Sequence, residues 1–145
     1  ADNPSDMEYL SAYVAGRSRG IRMQVSTKSP KEKASYEMGA ALFRYRAGPW
    51  DFSCASCHGT PGKRIRMQEL PVLSSKQGAR QSYTTWPGYR VSVSQLKTME
   101  WRINDCFRQQ RFPEPNYGSD AVVARTMYMA VNVNGAVYRG PGTKR

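Results

Sequence analysis

Histidine is the scarcest side chain here: the 145 residues hold one, His58, and only three cysteines, Cys54, Cys57 and Cys106. A bis-histidine haem site drawn from this chain alone is excluded. A structural zinc site, which takes about four Cys or His ligands, would have to use every one of these four residues. No apolar run approaches the ~20 residues of a membrane-spanning helix, so no membrane span is expected, and no stretch reads as a signal peptide. Acidic residues are also few, 11 against 22 lysines and arginines, for a formal charge of +11. The basic residues are spread along the chain. Such a balance suits an acidic partner, an anionic substrate or a membrane surface, although solubility alone would also account for it.

Cys54-Ala55-Ser56-Cys57-His58 has the Cys-x-x-Cys-His pattern of a c-type haem attachment site. Its two thiols add to the porphyrin vinyl groups, and the adjacent histidine reaches the iron. One covalently bound haem c is therefore expected on Cys54 and Cys57, with His58 as proximal ligand. A redox Cys-x-x-Cys would need neither His58 nor the Gly and Pro around it. Covalent haem implies export, so the chain reads as mature and periplasmic, and nucleic acid is the weaker partner reading. With two thiols committed to haem, Cys106 is left unpaired in an oxidising compartment and needs an explanation.

The rest of the chain reads as helices around that motif. Residues 5–18 open on the capping box Ser5-x-x-Glu8 and carry Met7, Leu10 and Val14 at helical spacing. A second helix starts at Ser29-Pro30, bears Tyr36, Ala40, Leu42 and Phe43, and stops by Gly48. An amphipathic helix in that place is expected before the haem motif of class I cytochromes c. Residues 59–89 read as a long loop punctuated by Pro61-Gly62, Pro71, Gly78 and Pro87-Gly88, long enough to wrap a cofactor, with Trp86 and nearby tyrosines as cavity packing. A third helix is expected from a Ser92-x-x-Gln95 cap through Leu96, Met99, Ile103, Cys106 and Phe107. A last one is expected over 119–133 with Val122, Val123, Met127, Ala130 and Val131 as its apolar face. The expected class is all-α, a class I cytochrome c-like domain wrapped round one haem, with an extra N-terminal helix. Residues 1–29 would be that helix and a linker, the remnant or end of a preceding domain, 30–136 the cytochrome domain, and 137–145 a mobile tail.

The ligand opposite His58 is open between a methionine, Cys106 and nothing. Met99, Met127 and Met129 lie in helical stripes and serve equally as core filler. The loop before the last helix, where small cytochromes carry their ligand methionine, has none. Cys106 lies on the apolar stripe of its helix, either as a small core hydrophobe or as a thiolate ligand. Arg102, one turn earlier, is either a solvated charge or a cation that favours the thiolate and binds an oxyanion.

Four stretches carry a resemblance: Phe52 to Gly59, Gly62-Lys63-Arg64-Ile65-Arg66, Thr84-Thr85-Trp86-Pro87 with Tyr89-Arg90, and Trp101-Arg102-Ile103-Asn104-Asp105-Cys106-Phe107-Arg108-Gln109-Gln110-Arg111. Together they closely resemble the C-terminal haem domain of the SoxA family, the A subunits of the SoxAX cytochromes of bacterial thiosulfate oxidation. The resemblance implies an enzyme, an L-cysteine S-thiosulfotransferase that oxidatively joins thiosulfate to a cysteine of a SoxYZ-type carrier protein and sends two electrons out through haem. It implies a heterodimer with a small SoxX-type cytochrome c and a downstream acceptor cytochrome. It places His58 and Cys106 on the haem iron and makes Cys106 and Arg102 the catalytic pair. Cys106 would carry thiosulfate transiently, or the two sulfurs would couple at the haem edge without an adduct. Family members often have two domains, and only one is matched here. A monohaem electron carrier without bond-forming chemistry is the rival reading, and a haem sensor or structural haem module a third; neither has a use for Cys106 with Arg102.

Overall fold

The computed structural model describes residues 5–65 and 67–145; residues 1–4 and Arg66, the last residue of one resembling stretch, lie outside them. Among the described residues there are six α-helices: α1 (Asp6–Arg17), α2 (Pro30–Arg44), α3 (Cys54–His58), α4 (Lys76–Tyr83), α5 (Met99–Gln109) and α6 (Asp120–Asn132). Five short strands, β1 (Arg64–Ile65), β2 (Gln68–Glu69), β3 (Gly88–Arg90), β4 (Gln95–Lys97) and β5 (Gly142–Lys144), interleave with them. The fold is mainly helical but not all-α. β1 and β2 make an antiparallel pair, while β3 is the centre of a three-stranded sheet, antiparallel to β4 and parallel to β5.

Helix starts follow the capping chemistry. Ser5 and Glu8 close a reciprocal box at α1, and Ser29 and Glu32 do the same at α2, where Pro30 occupies the first turn. The third expected helix starts later than its spacing suggested. Thr98, not Ser92, caps α5, its hydroxyl accepting from the Trp101 amide at 3.2 Å. Val91–Val93 form only a short 3-10 turn, which Ser94 ends with a left-handed φ of 52°, and residues 95–97 pair with β3 instead.

The stretch over 59–89 is not a plain loop, since it holds β1, β2 and α4. Gly78, which reads as a breaker, lies inside α4 because a Cβ there would meet the Val72 carbonyl oxygen at 2.4 Å. The segment 137–145, expected as a mobile tail, docks through β5. Gly88 and Gly142 allow that close approach, since a Cβ on Gly88 would lie 2.9 Å from the Gly142 oxygen. Residues 5–29 are also tied to the body. The Asn134 amide group exchanges two hydrogen bonds with the Val25 backbone, at 2.8 and 2.9 Å, and Glu8 meets Lys97 at 3.2 Å with both side chains largely covered. No helix among the described residues is long and apolar enough to cross a membrane.

The core lies where α2 crosses α6. Phe43, Ile103, Tyr128 and Met129 form its buried centre, and the Tyr128 ring meets those of Phe43 and Tyr36 at centroid distances of 5.2 and 5.7 Å. The crossing depends on Gly39, where a Cβ would stand 2.0 Å from the Ala124 carbonyl oxygen and 2.8 Å from Tyr128 Cβ. Overpacking costs about 1–3 kcal/mol, occasionally more, against a helix-propensity gain below about 1 kcal/mol. Gly39→Ala is expected to destabilise the chain by about 2 kcal/mol and lower Tm by about 4–8 °C in thermal unfolding. An unchanged Tm would mean that the two helices do not pack this closely.

Candidate functional site

α3 is a single helical turn held by side chains. Ser53 Oγ accepts from the Ser56 amide at 3.2 Å, and Ser56 Oγ accepts from the Ser53 amide at 3.0 Å. That turn puts Cys54 and Cys57 three residues apart on neighbouring positions of one helix face, with His58 at its end. Burial pushes the Cys57 thiol up, with Cys54 adding to the effect and Lys63 opposing it.

His58 is fixed from behind. Its Nδ1 lies 2.8 Å from the Pro71 carbonyl oxygen, which can only accept, so Nδ1 carries the proton and Nε2 keeps its lone pair. Burial holds the imidazole below its usual pKa, opposed by the Pro71 bond and assisted by the nearby Arg102 charge. A neutral ring anchored through one nitrogen is the form a metal-binding histidine takes.

His58 and Cys54 open onto a cavity of about 340 Å³. Its apolar wall includes Phe43, Leu73, Ile103 and Tyr128, and the long segment before β3 contributes Tyr83 and Trp86 as the sequence predicted. Burial pushes the Tyr83 hydroxyl up to about 12, so it stays protonated at neutral pH. α5 brings Arg102 and Cys106 to the same cavity. Both lie with Cys54, Cys57 and His58 around a smaller cleft of about 40 Å³ next to it. The structure thus brings together the five residues singled out from the sequence.

The half-buried Cys106 is under opposing influences. Burial pushes its thiol up, Arg102 pulls it down, Cys54 and Asp105 push it up again, and Arg125 pulls it down. Arg102 is held by the buried Asp105, Nη1 to Oδ2 at 2.6 Å. Asp105 also accepts from Arg108 through its other oxygen and from Gln109 Nε2 at 2.8 Å. Of the methionines weighed as ligands, Met99 and Met129 line the cavity and Met127 is not among the lining residues.

Sequence reasoning missed Arg125. It is only 8% exposed, donates through Nη1 to Cys54 Sγ and through Nη2 to the Leu42 carbonyl at 2.7 Å, and stacks 4.8 Å from the Phe107 ring centroid. Its Nε is buried without a partner. The available signal was its position: Val122, Arg125 and Met129 follow one another at i, i+3 and i+7 on the buried stripe of α6, where a lone arginine needs a reason to be inside.

A covalent haem c fits these residues. Cys54 is at the wall and Cys57 lines the small cleft next to it, a tautomer-fixed histidine is beside them, the wall is apolar, and unpartnered guanidinium nitrogens of Arg90 and Arg125 lie buried around it. No protein-family model matches the chain. The chain is 53% identical over 139 residues to the L-cysteine S-thiosulfotransferase subunit SoxA of Hydrogenophilus thermoluteolus, a match covering 96% of this chain and 51% of that protein. It is 42% identical over 137 residues to the SoxA subunit of Hydrogenobacter thermophilus, covering 94% and 51%. The crystal structure of SoxXA from P. pantotrophus superposes with a TM-score of 0.83 at 26% identity, over 97% of this chain and 50% of that one, which gives the chain a cytochrome c fold. The chain spans about half the length of the curated relatives it matches. Along nearly its whole length the chain is thus similar to about half of these SoxA subunits, in sequence, in fold and in a cavity fitted for covalent haem.

Proposed function

We propose that this chain is the haem-bearing, catalytic part of an L-cysteine S-thiosulfotransferase, conjugating thiosulfate to a cysteine of a carrier protein. The observation that carries the reading is the placement of Cys106 and Arg102 in the cavity shared by Cys54 and His58. In the reaction one S–S bond forms between the carrier sulfur and the outer sulfur of thiosulfate, the thiol proton leaves, and two electrons are withdrawn. Haem, when bound, supplies a one-electron acceptor.

The chain's own residues do the rest. Cys54 and Cys57 hold the cofactor covalently, and His58 presents Nε2 because Pro71 occupies Nδ1. Arg102, kept in place by Asp105, offers its remaining guanidinium donors to an oxyanion, and Arg125 adds a second buried positive charge close to Cys106. Cys106 is the reactive sulfur and would hold the haem iron together with His58, and its surrounding cations favour a thiolate against the effect of burial. Residues 30–136 form the haem-bearing unit in this reading. A SoxX-type cytochrome, a SoxYZ-type carrier and a downstream acceptor cytochrome are its partners, and the periplasm, where covalent haem is attached, is its compartment.

A plain electron-transfer cytochrome is the second reading, supported by Met99 and Met129 in the cavity wall; it leaves the fixed Arg102 beside a free thiol without a purpose. Arg102→Ala separates the two. Hydrogen bonds to charged groups contribute about 1.5–3 kcal/mol, so thiosulfate-dependent conjugation, followed by mass spectrometry of the carrier cysteine, is expected to lose about 10- to 100-fold in kcat/KM. An unchanged rate would reduce Arg102 to the ion-pair partner of Asp105.

A further inference from the structure

The C-terminal strand brings a lysine to the cavity that no part of the reading above uses. Lys144, in β5, lines the same cavity as Arg90 of β3 and as Arg102. The strand pairing sets Arg90 opposite Lys144 in register. Lys144 Nζ donates to the Ser82 carbonyl at 3.1 Å and to Thr85 Oγ1, and stands 5.4 Å from the Trp86 ring centroid. Two of its three donors are thereby used by neutral oxygens, and among the described residues no carboxylate pairs with it. Arg90 donates through Nη1 to the main-chain oxygen of Arg145, while its Nε is buried without a partner.

Three cations therefore converge on one wall, and the only carboxylate on Arg102, Asp105, is already shared with Arg108. The crowding is felt: burial, Arg139 and Arg90 together lower Lys144 to about 8, and burial and Arg102 lower Arg90 against the opposing Asp105 and Cys106. Half-buried cations that lack counter-charges cost stability unless an anion joins them.

We propose that Lys144 and Arg90 form an anion-binding site at the β3–β5 wall of the cavity, and that the anions it takes are the propionate carboxylates of the bound haem. The inference rests on the haem reading. A second source of the same chemistry is the oxyanion end of thiosulfate. The carboxylates are favoured because Lys144 and Arg90 line only the large cavity, whereas Cys106 and Arg102 line both it and the small cleft. In this assignment β5 closes over the haem edge, which explains why a Gly- and Pro-rich segment is docked on β3.

The test uses the haem-loaded full chain and the variants Lys144→Met and Lys144→Arg. Methionine keeps the length of the side chain and leaves the β5 backbone pairing intact. Covalent haem in the wild type, measured by acid-stable absorbance, checks the underlying reading separately: its absence there would sink the haem assignment itself. With haem attached, loss of a cation beside the carboxylates is expected to lower the reduction potential in Lys144→Met, with Lys144→Arg close to wild type. An unmoved potential in Lys144→Met with a raised KM for thiosulfate would overturn the proposal in favour of the substrate anion. Unmoved potential and unmoved KM would overturn it in favour of a lysine that only anchors Ser82 and Thr85.

Discussion

Cys106→Ser is expected to abolish thiosulfate conjugation while leaving haem attached to Cys54 and Cys57. A serine hydroxyl is far less acidic than a thiol and does not form an S–S bond, so the loss should reach at least about 10³-fold in kcat, the scale seen when a unit of catalytic machinery loses its reacting atom. The fold should tolerate the change. Cys106 is half-buried, and exchanging sulfur for a hydroxyl at such a site costs about 1–3 kcal/mol. Attachment chemistry lies on α3, a separate element capped by its own serines, so haem content is expected to stay at the wild-type level. Absorption and EPR spectra of the oxidised protein decide the ligand. A low-spin thiolate signature that disappears in Cys106→Ser establishes the His58 and Cys106 pair. A methionine charge-transfer band common to both proteins would leave Cys106 as core filler and move attention to Met99 and Met129, the two methionines that reach the cavity.

The same substitution bears on the cations. Arg102 and Arg125 both act on Cys106, one held from α5 by Asp105 and the other from α6 by the Leu42 carbonyl. Two elements that meet only through the tertiary fold thus focus positive charge on one sulfur. In a low-dielectric pocket such charges act on a thiol or a dianion more strongly than they would in water. In the proposed reaction they would be in position before the substrate arrives, the arrangement that stabilises developing charge without reorganisation.

How much of this was legible in the sequence follows from which interactions are local. The Cys54–His58 turn, the Ser5 and Ser29 caps, and the Ile103, Cys106, Phe107 stripe depend on residues within one or two turns of each other, and their spacing reveals them. Arg125 contacts Cys54, 71 positions away, and its role exists only once α6 lies against α3. The short strands were invisible for the same reason: β3 is three residues long and gains its partners from β4 and from β5 at the far end of the chain. Gly78 and Gly88 misled because glycine marks both a flexible turn and a close approach, and only the neighbours tell which applies. Ser92 misled as a cap because nothing local announces the left-handed Ser94 two residues later.

Replacing both attachment cysteines, Cys54→Ser with Cys57→Ser, is expected to yield a chain that carries no covalent haem and does not keep its stability. The argument is one of volume and of orphaned polar groups. The cavity of about 340 Å³ sits beside the core residues Phe43, Ile103, Tyr128 and Met129. At about 24 cal/mol per Å³, leaving it empty corresponds to about 8 kcal/mol, an upper figure because water entering beside Arg90 and Lys144 would recover part of it. That is comparable with the whole stability of an ordinary domain, about 5–15 kcal/mol. Without the cofactor the buried Nε atoms of Arg90 and Arg125 would also stay without a partner, a further cost of about 1–3 kcal/mol for an unsatisfied polar group. Thermal unfolding followed by circular dichroism should show Tm lowered by up to about 30 °C, or no cooperative transition. His58→Ala provides the contrast, since it keeps both thioether positions and removes only the imidazole and its bond to Pro71. It should therefore retain covalent haem with altered ligation and a much smaller loss of Tm. A double serine variant that unfolded at the wild-type temperature would show that the fold closes its own cavity, and that the haem is a guest of this domain and not part of its core.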